Sequence, residues 1–435
     1  MFDPRLLARE HRELTRRYFL RFGSTGLATL GMWQFGLAGD ADDPAKAANA
    51  PAPLPPDKAL EKAIAEIEYL TRSSDFTNVE RGSPLPSELS DETRRAVGLD
   101  RETWRLEVVP DAEGGVKVDA PLTKEGGTAL DWAGLMRLAE INAVRYLKVM
   151  TCNNMNAPLG MGLWEGVPLR DVVAMAKPVE NIRRVFYYGY HNDKPEQMFR
   201  SSLALNRVLE DPPGEMPVLV CYKLNGELLT PKRGGPVRML VPEAYGFKSV
   251  KWLQRVVLTN DHHANDTYAD ANNDIESWQK TFARLLHVPE SVKAGQSIPI
   301  TGLAQVGIGG LSKVQYCLEP VSAPRPADDP YFTMCSWRDA ELLPAPKTWG
   351  GELGDEKLPE MPLQFDPATG RPRTWPLRYT LAHWAALVPG AAMGKYHLRC
   401  RAIDASGHAQ PLPRPYPRSG RNVIQTETLE VEASA

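Results

Sequence analysis

At 435 residues the chain exceeds the usual size of one folded domain, and 43% hydrophobic with 8% aromatic residues rules out wholesale disorder. Its 38 prolines and 34 glycines exclude a helical bundle and suit short strands joined by turns and irregular connections. A net charge of −3 gives no reason to expect a nucleic-acid partner.

Thr15-Arg16-Arg17-Tyr18-Phe19-Leu20-Arg21 looks like a twin-arginine export signal. The charge-free residues 22–39 that follow are diluted by Gly23, Gly26, Gly31 and Gly36, too weakly apolar for a transmembrane helix. Residues 1–39 are therefore predicted to be a signal segment that sends the protein to the periplasm, with cleavage after Ala38 or Ala50 both open. A basic amphipathic helix is the competing reading. Because the twin-arginine route typically carries proteins already folded around a cofactor, a bound cofactor becomes an expectation. Residues 40–56 have the composition of a linker.

Residues 57–288 mix helix and strand. Leu60, Ile64, Ile67 and Leu70 have helical spacing over residues 58–72. Residues 104–109 alternate as a strand does, 131–141 predict a short helix, and 146–151 a buried strand running into Cys152. Residues 183–188 and 217–224 read as strands, and Asn225-Gly226 is a hairpin turn signal. From 289 the helix signal fades. Strands are predicted at 296–301, 313–318, 395–401 and 426–431, between Pro- and Gly-rich turns. The fold class is thus α+β over 57–288, followed over 289–435 by an all-β antiparallel sandwich of the immunoglobulin type. Residues 320–375 form a long decorated loop within it.

The central region carries the chemistry. Tyr146-Leu147-Lys148-Val149-Met150-Thr151-Cys152-Asn153-Asn154 precedes Gly162-Leu163-Trp164-Glu165-Gly166-Val167-Pro168-Leu169-Arg170-Asp171-Val172. Farther on stand Gly234-Gly235-Pro236-Val237-Arg238-Met239-Leu240-Val241-Pro242 and Tyr245-Gly246-Phe247-Lys248-Ser249-Val250-Lys251-Trp252-Leu253. In order, spacing and residue type these segments resemble the sulfite oxidase family of molybdopterin-dependent oxidoreductases. The carboxyl end, Arg399-Cys400-Arg401-Ala402-Ile403-Asp404 through Gln410-Pro411, resembles the dimerisation domain that accompanies those enzymes. The likeness runs from about residue 70 onward, patchily before 140.

That resemblance implies a molybdenum–molybdopterin cofactor with Cys152 as metal ligand and catalytic centre. It carries Arg238, Ser249, Val250 and Lys251 over as cofactor contacts, with Arg233, Asn78, Arg81 and Asp193 beside them. Residue chemistry agrees: a soft thiolate suits molybdenum held by a dithiolene. Lys232, Arg233, Arg238, Lys248 and Lys251 supply the cations that a pterin phosphate favours. Taken alone, Cys152 reads as a buried inert thiol and the five bases as a solvated hairpin face.

The sequence departs from the family where sulfite would bind. Asn153-Asn154-Met155-Asn156 follow the cysteine without the usual arginines, and the family's early pocket arginine aligns with Glu80 or Arg81. Phe282 and Ala283 stand where a tyrosine is expected after Trp278-Gln279. A dianion needs cationic donors to offset its desolvation, so the expected substrate is a small sulfur compound less charged than sulfite. The Tyr245–Ser249 block also resembles periplasmic methionine sulfoxide reductases, which run the atom transfer in reverse and usually lack the second domain.

The expected activity is therefore oxygen-atom transfer by a periplasmic molybdenum enzyme, a homodimer passing electrons to an external carrier such as a c-type cytochrome. The alternatives are a sulfoxide-type reductase on the same scaffold and a cofactor-free binding module. No C-x-x-C-H motif occurs, so no haem is expected in this chain. His262-His263, with Asp261, Asp266 or His287, read as a polar loop rather than a metal site, and Gly307-Ile308-Gly309-Gly310 as a sandwich turn. Cys317 and Cys400, on opposite predicted strands, either bridge or remain buried thiols.

Overall fold

The structure, a computed structural model, describes residues 57–191, 198–264, 276, 278–354, 358, 362–414, 416 and 418–434. The expected signal (1–39), the linker (40–56), Asp193 and Asp266 lie outside the described residues. No described helix is long and apolar enough to cross a membrane.

Sheet dominates, and the helices are few and short. Helix α1 (Lys58–Ala65) is capped by the Asp57 side chain, which accepts from Leu60 N at 2.9 Å. It ends well before the residue 72 that its spacing predicts. Beyond it, Leu70 N donates to Trp349 O and Thr71 N to Met161 O, both at 2.8 Å, so tertiary pairing draws this stretch out of helix. Helix α2 (Trp132–Asn142), capped by Asp131, lies close to its predicted span.

The principal strands are β1 (Arg105–Pro110), β2 (Val144–Thr151), β3 (Pro158–Pro168), β4 (Arg184–Gly189), β5 (Phe199–Ala204), β6 (Leu219–Leu224), β7 (Arg238–Leu240) and β8 (Leu253–Thr259). They continue as β9 (Phe282–His287), β10 (Ile298–Gln305), β11 (Lys313–Pro320), β12 (Leu381–Val388), β13 (Gly394–Ile403) and β14 (Gln425–Glu432). One sheet runs β1-β8-β4-β5, with β1 and β8 parallel. A second runs β6-β3-β2, and β7 adds to the other side of β6. Asn225 (φ 52°) and Gly226 (φ 88°) make the predicted tight turn after β6. A shared core of Trp104, Leu106, Val108, Val167, Val220, Met239 and Val256 joins the two sheets.

The later strands make two facing sheets, one with β9-β10-β12 and one with β14-β13-β11. Ile298, Ile300, Val314, Trp384, Leu398 and Leu429 fill the space between them. The expected division at 288 is not where the sheets divide. Strand β9 pairs antiparallel with β10, Phe282 opposite Gln305, and so belongs with the later half. Helix α1 also packs there, through Leu60 against Leu343 and Ala385. Gly307–Gly310 form a turn after β10, as the sequence suggests.

Trp384 is fully buried, and its Nε1 donates to Leu303 O at 3.1 Å. Its ring lies 2.2 Å from where a Cβ on Gly302 would stand, so glycine there is what admits the indole. Trp384→Ala is expected to lower stability by about 3–5 kcal/mol in urea unfolding. A loss below about 1 kcal/mol would contradict this packing.

Candidate functional site

Strand β2 is buried along most of its length because apolar residues and Lys148 face the core on either side. It ends at Thr151, so Cys152 is the first residue free of the ladder, half-buried at the wall of a cleft. The opposite wall comes from the segment after β7. Gly246 N donates to Thr151 O at 2.8 Å and brings Phe247, Ser249, Val250 and Lys251 alongside the cysteine. Residues 76–81 cross between these walls.

The cleft gathers most of the residues that the sequence singles out. Cys152, Arg81, Arg233, Arg238, Ser249, Val250 and Lys251 line it. Asn78 stands just behind, its Oδ1 accepting from Lys251 Nζ at 2.8 Å. Lys251 Nζ also donates to Lys232 O (2.7 Å) and Val79 O (3.1 Å). Burial draws this ammonium down to about 7, helped by Arg238 and Arg233 and opposed by Glu80, 3.9 Å away. Gly234 (φ 93°) wraps the same side chain, and a Cβ there would meet Lys251 Cγ at 2.7 Å.

Arg238 is buried, and burial pulls it to about 10. It donates from Nη1 to Arg233 O (3.0 Å), from Nη2 to Ser249 O (2.7 Å) and from Nε to Met239 O (3.4 Å). A guanidinium has five N–H groups, so hydrogens on both terminal nitrogens remain for an acceptor in the cleft. Arg233 lies over Phe76 at 5.5 Å, and its buried Nε has no protein partner. Ser249 Oγ accepts from Val241 N at 3.1 Å, which leaves its O–H to donate.

Several lining groups escaped the sequence reading. Phe76, Trp164, Tyr190, Phe199, Phe247 and Trp252 form an aromatic lining. Trp164, Phe247 and Trp252 sit inside the segments already singled out, while Phe199 carries no local signal at all. Arg81 stacks 4.9 Å from the Phe199 ring, and both Glu80 and Arg81 reach the cleft. His191 also lines it, its imidazole held below the usual value by burial and Arg81. Asn153 turns away from the cleft and donates to Arg418 O at 2.9 Å. Asp261, His262 and His263 bring their ligand atoms within 4.8 Å of one another in a loop apart from the lining residues, with His263 exposed.

A molybdenum–pterin group fits these residues. Cys152 offers a soft ligand at the wall. The cations Arg81, Arg233, Arg238 and Lys251 outnumber Glu80, and the orphaned Arg233 Nε awaits an acceptor, as an anionic tail supplies.

Residues 95–267 match the family model described as the oxidoreductase molybdopterin binding domain. An NADPH nitrate reductase of Beauveria bassiana is 35% identical over 130 residues, 30% of this chain and 14% of that protein. Mitochondrial sulfite oxidase of Rattus norvegicus is 33% identical over 172 residues, 38% of this chain and 30% of that protein. The chain thus spans less than a third of either relative in the matched stretch. The sulfane dehydrogenase SoxCD from Paracoccus pantotrophus has a similar fold, with a TM-score of 0.53 at 17% identity over 77% of this chain and 79% of that one.

The Lys251 ammonium, ordinarily near 10.5, falls to about 7 in the folded protein, so it loses its proton across neutral pH. Binding of an anion favours the protonated form, and affinity should therefore fall as pH rises through 7. Sulfate keeps its charge over this range and isolates the effect. Its stabilisation of the metal-free protein against heat is expected to be several-fold greater at pH 6.5 than at pH 9. Lys251→Met should flatten that dependence, and an unchanged slope would remove Lys251 from the anion site.

Proposed function

Because the chain belongs to the sulfite oxidase family of molybdopterin oxidoreductases, we propose that it is an exported enzyme moving an oxygen atom between water and a small sulfur compound. The observation that carries this reading is Cys152 on the same cleft wall system as Arg81, Arg233, Arg238 and Lys251. When bound, the molybdenum–pterin group supplies two-electron oxygen-atom chemistry. Cys152 Sγ would be the protein's ligand to the metal. Arg233, Arg238 and Lys251 would hold the pterin phosphate, with Asn78 orienting the lysine ammonium and residues 249–250 presenting main chain to the ring.

The substrate end supports a compound less charged than sulfite. Asn153 and Asn156, in place of the family's arginines, donate to Arg418 O and Val423 O and add no cation to the cleft. Aromatic faces and Arg81 remain to receive a substrate, and a thioether-like or sulfane sulfur packs on such faces at little desolvation cost. His191, held neutral, is suited to pass a proton at the cleft rim.

The rest of the reading follows from the sequence. Residues 1–39 would direct export to the periplasm, and a c-type cytochrome would take the electrons. Residues 289–435 would be an immunoglobulin-like domain that pairs two copies. The aromatic cleft equally supports a sulfoxide-type reductase running in reverse. The cofactor-free binding module leaves Cys152 and the excess of cations over Glu80 in the cleft without a purpose.

Protein exported by a host competent in cofactor synthesis is expected to contain close to one molybdenum per chain by elemental analysis. Cys152→Ser should change the metal's spectrum and lower turnover by more than about 100-fold, since losing even an outer-shell partner costs 10–100-fold. Oxidation of a thiol or sulfane with an artificial acceptor would support the dehydrogenase. Reduction of a sulfoxide with an artificial donor would support the reductase. Absence of molybdenum would sink both.

A further inference from the structure

The outer face of the β14-β13-β11 sheet carries a side-chain cluster that the cofactor cleft does not use. Cys317 and Glu319, two apart on β11, point to one side, and across the ladder they pair with Arg399 and His397 of β13. Residues 329–337, a run of turns, fold over that side, and Phe332 stacks 4.3 Å from the Arg399 guanidinium. This brings Cys335 onto the same face. The two sulfurs and a Glu319 carboxylate oxygen lie within 4.8 Å of one another. Cys317 is 1% exposed and Cys335 9%. Cys400 does not join them. It pairs with Tyr316 in the ladder and faces the opposite side, inside the sandwich core, so the Cys317–Cys400 bridge that the sequence left open does not form.

We propose that Cys317 and Cys335 form a disulfide that fastens the 329–337 segment to β11. A disulfide needs its sulfurs about 2 Å apart, so the two thiols, within 4.8 Å as they stand, close the remaining gap by movement of the Cys335 side chain and its segment. Arg399, 1% exposed, places Nη1 3.8 Å from Cys335 Sγ and 3.0 Å from Glu319. A buried cation beside two thiols favours the thiolate that exchange chemistry requires. The hydrogen bond from Cys335 holds the Cys317 thiol below its usual range, with Arg399 adding to it, while Cys335 is pushed up as the donor.

A metal ion suits this cluster poorly. The guanidinium occupies the Glu319 carboxylate and sets a fixed positive charge among the would-be ligands. Cys317, Glu319 and Cys335 also fall one short of the four ligands of a closed structural site. In the oxidation two S–H bonds break and one S–S bond forms. The two electrons and two protons reduce an incoming protein or glutathione disulfide, which leaves as thiols.

The full-length protein would be held in dithiothreitol or in oxidised glutathione, denatured, alkylated and digested without reduction. In the oxidised sample Cys317 and Cys335 are expected in a single cross-linked peptide pair, lighter by two hydrogens, while Cys221 and Cys400 are alkylated. Oxidation should raise the thermal midpoint of the wild type by several degrees and leave a Cys317→Ala, Cys335→Ala double variant unmoved. Alkylation of both thiols in oxidised wild type would overturn the proposal. So would one zinc per chain with both thiols protected only while the metal is bound.

Discussion

The ammonium of Lys148 is fully buried in the middle of β2, and it donates to Pro242 O at 2.7 Å and Ala244 O at 3.0 Å. Burial draws it down to about 7, with Glu243 opposing and Arg238 adding. A buried cation is expensive unless its donors are met, so the carbonyls of residues 242–244 are held where Lys148 needs them. This ties the strand that delivers Cys152 to the segment that delivers the basic residues. Strand β2 is the edge of its sheet, and its outer side is covered rather than paired. Val149 N donates to Tyr379 O, Gln279 Nε2 to Val149 O, and Gly246 N to Thr151 O. Of these covering contacts, the one from Gly246 also belongs to the site.

Charge and aromatic surface are interleaved within the cleft. Cations concentrate around Arg233, Arg238 and Lys251, each below its ordinary pKa because burial makes the charged form costly. An anion entering there relieves the very strain that depresses them. Aromatic rings stand among these cations: Arg233 lies over Phe76, Arg238 over Trp164 and Lys251 over Trp252. A group that joins an anion to a flat, polarisable ring matches that mixture.

Much of this was legible in the sequence because it resides in contiguous segments. The strand running into Cys152, the Asn225-Gly226 turn and the 238–251 block each announce themselves through local pattern, and the fold brings the first and the last to one cleft. What was illegible depends on distant pairing. Helical spacing at Ile67 and Leu70 gave way to bonds with residues near 161 and 349. Strand β9 joined the later sheet because its partner β10 lies there, a fact that composition around 288 does not encode. Phe199 reaches the cleft only through the ladder between β4 and β5. The neighbour of Cys317 proved to be Cys335, from a loop without periodicity, because strand alternation turned Cys400 the other way.

The asparagine that follows Cys152 is held from far down the chain. Gly420 N and Arg421 N both donate to Asn153 O at 3.0 Å, and Asn153 Nδ2 reaches Arg418 O. The ribosome makes these partners more than 260 residues after Asn153 itself. Until residues 418–421 emerge and dock, the loop bearing the cysteine lacks its anchors, however complete the sheets upstream. The geometry around Cys152 thus waits on chain made long after the cysteine itself, and the strands that precede it cannot complete it alone.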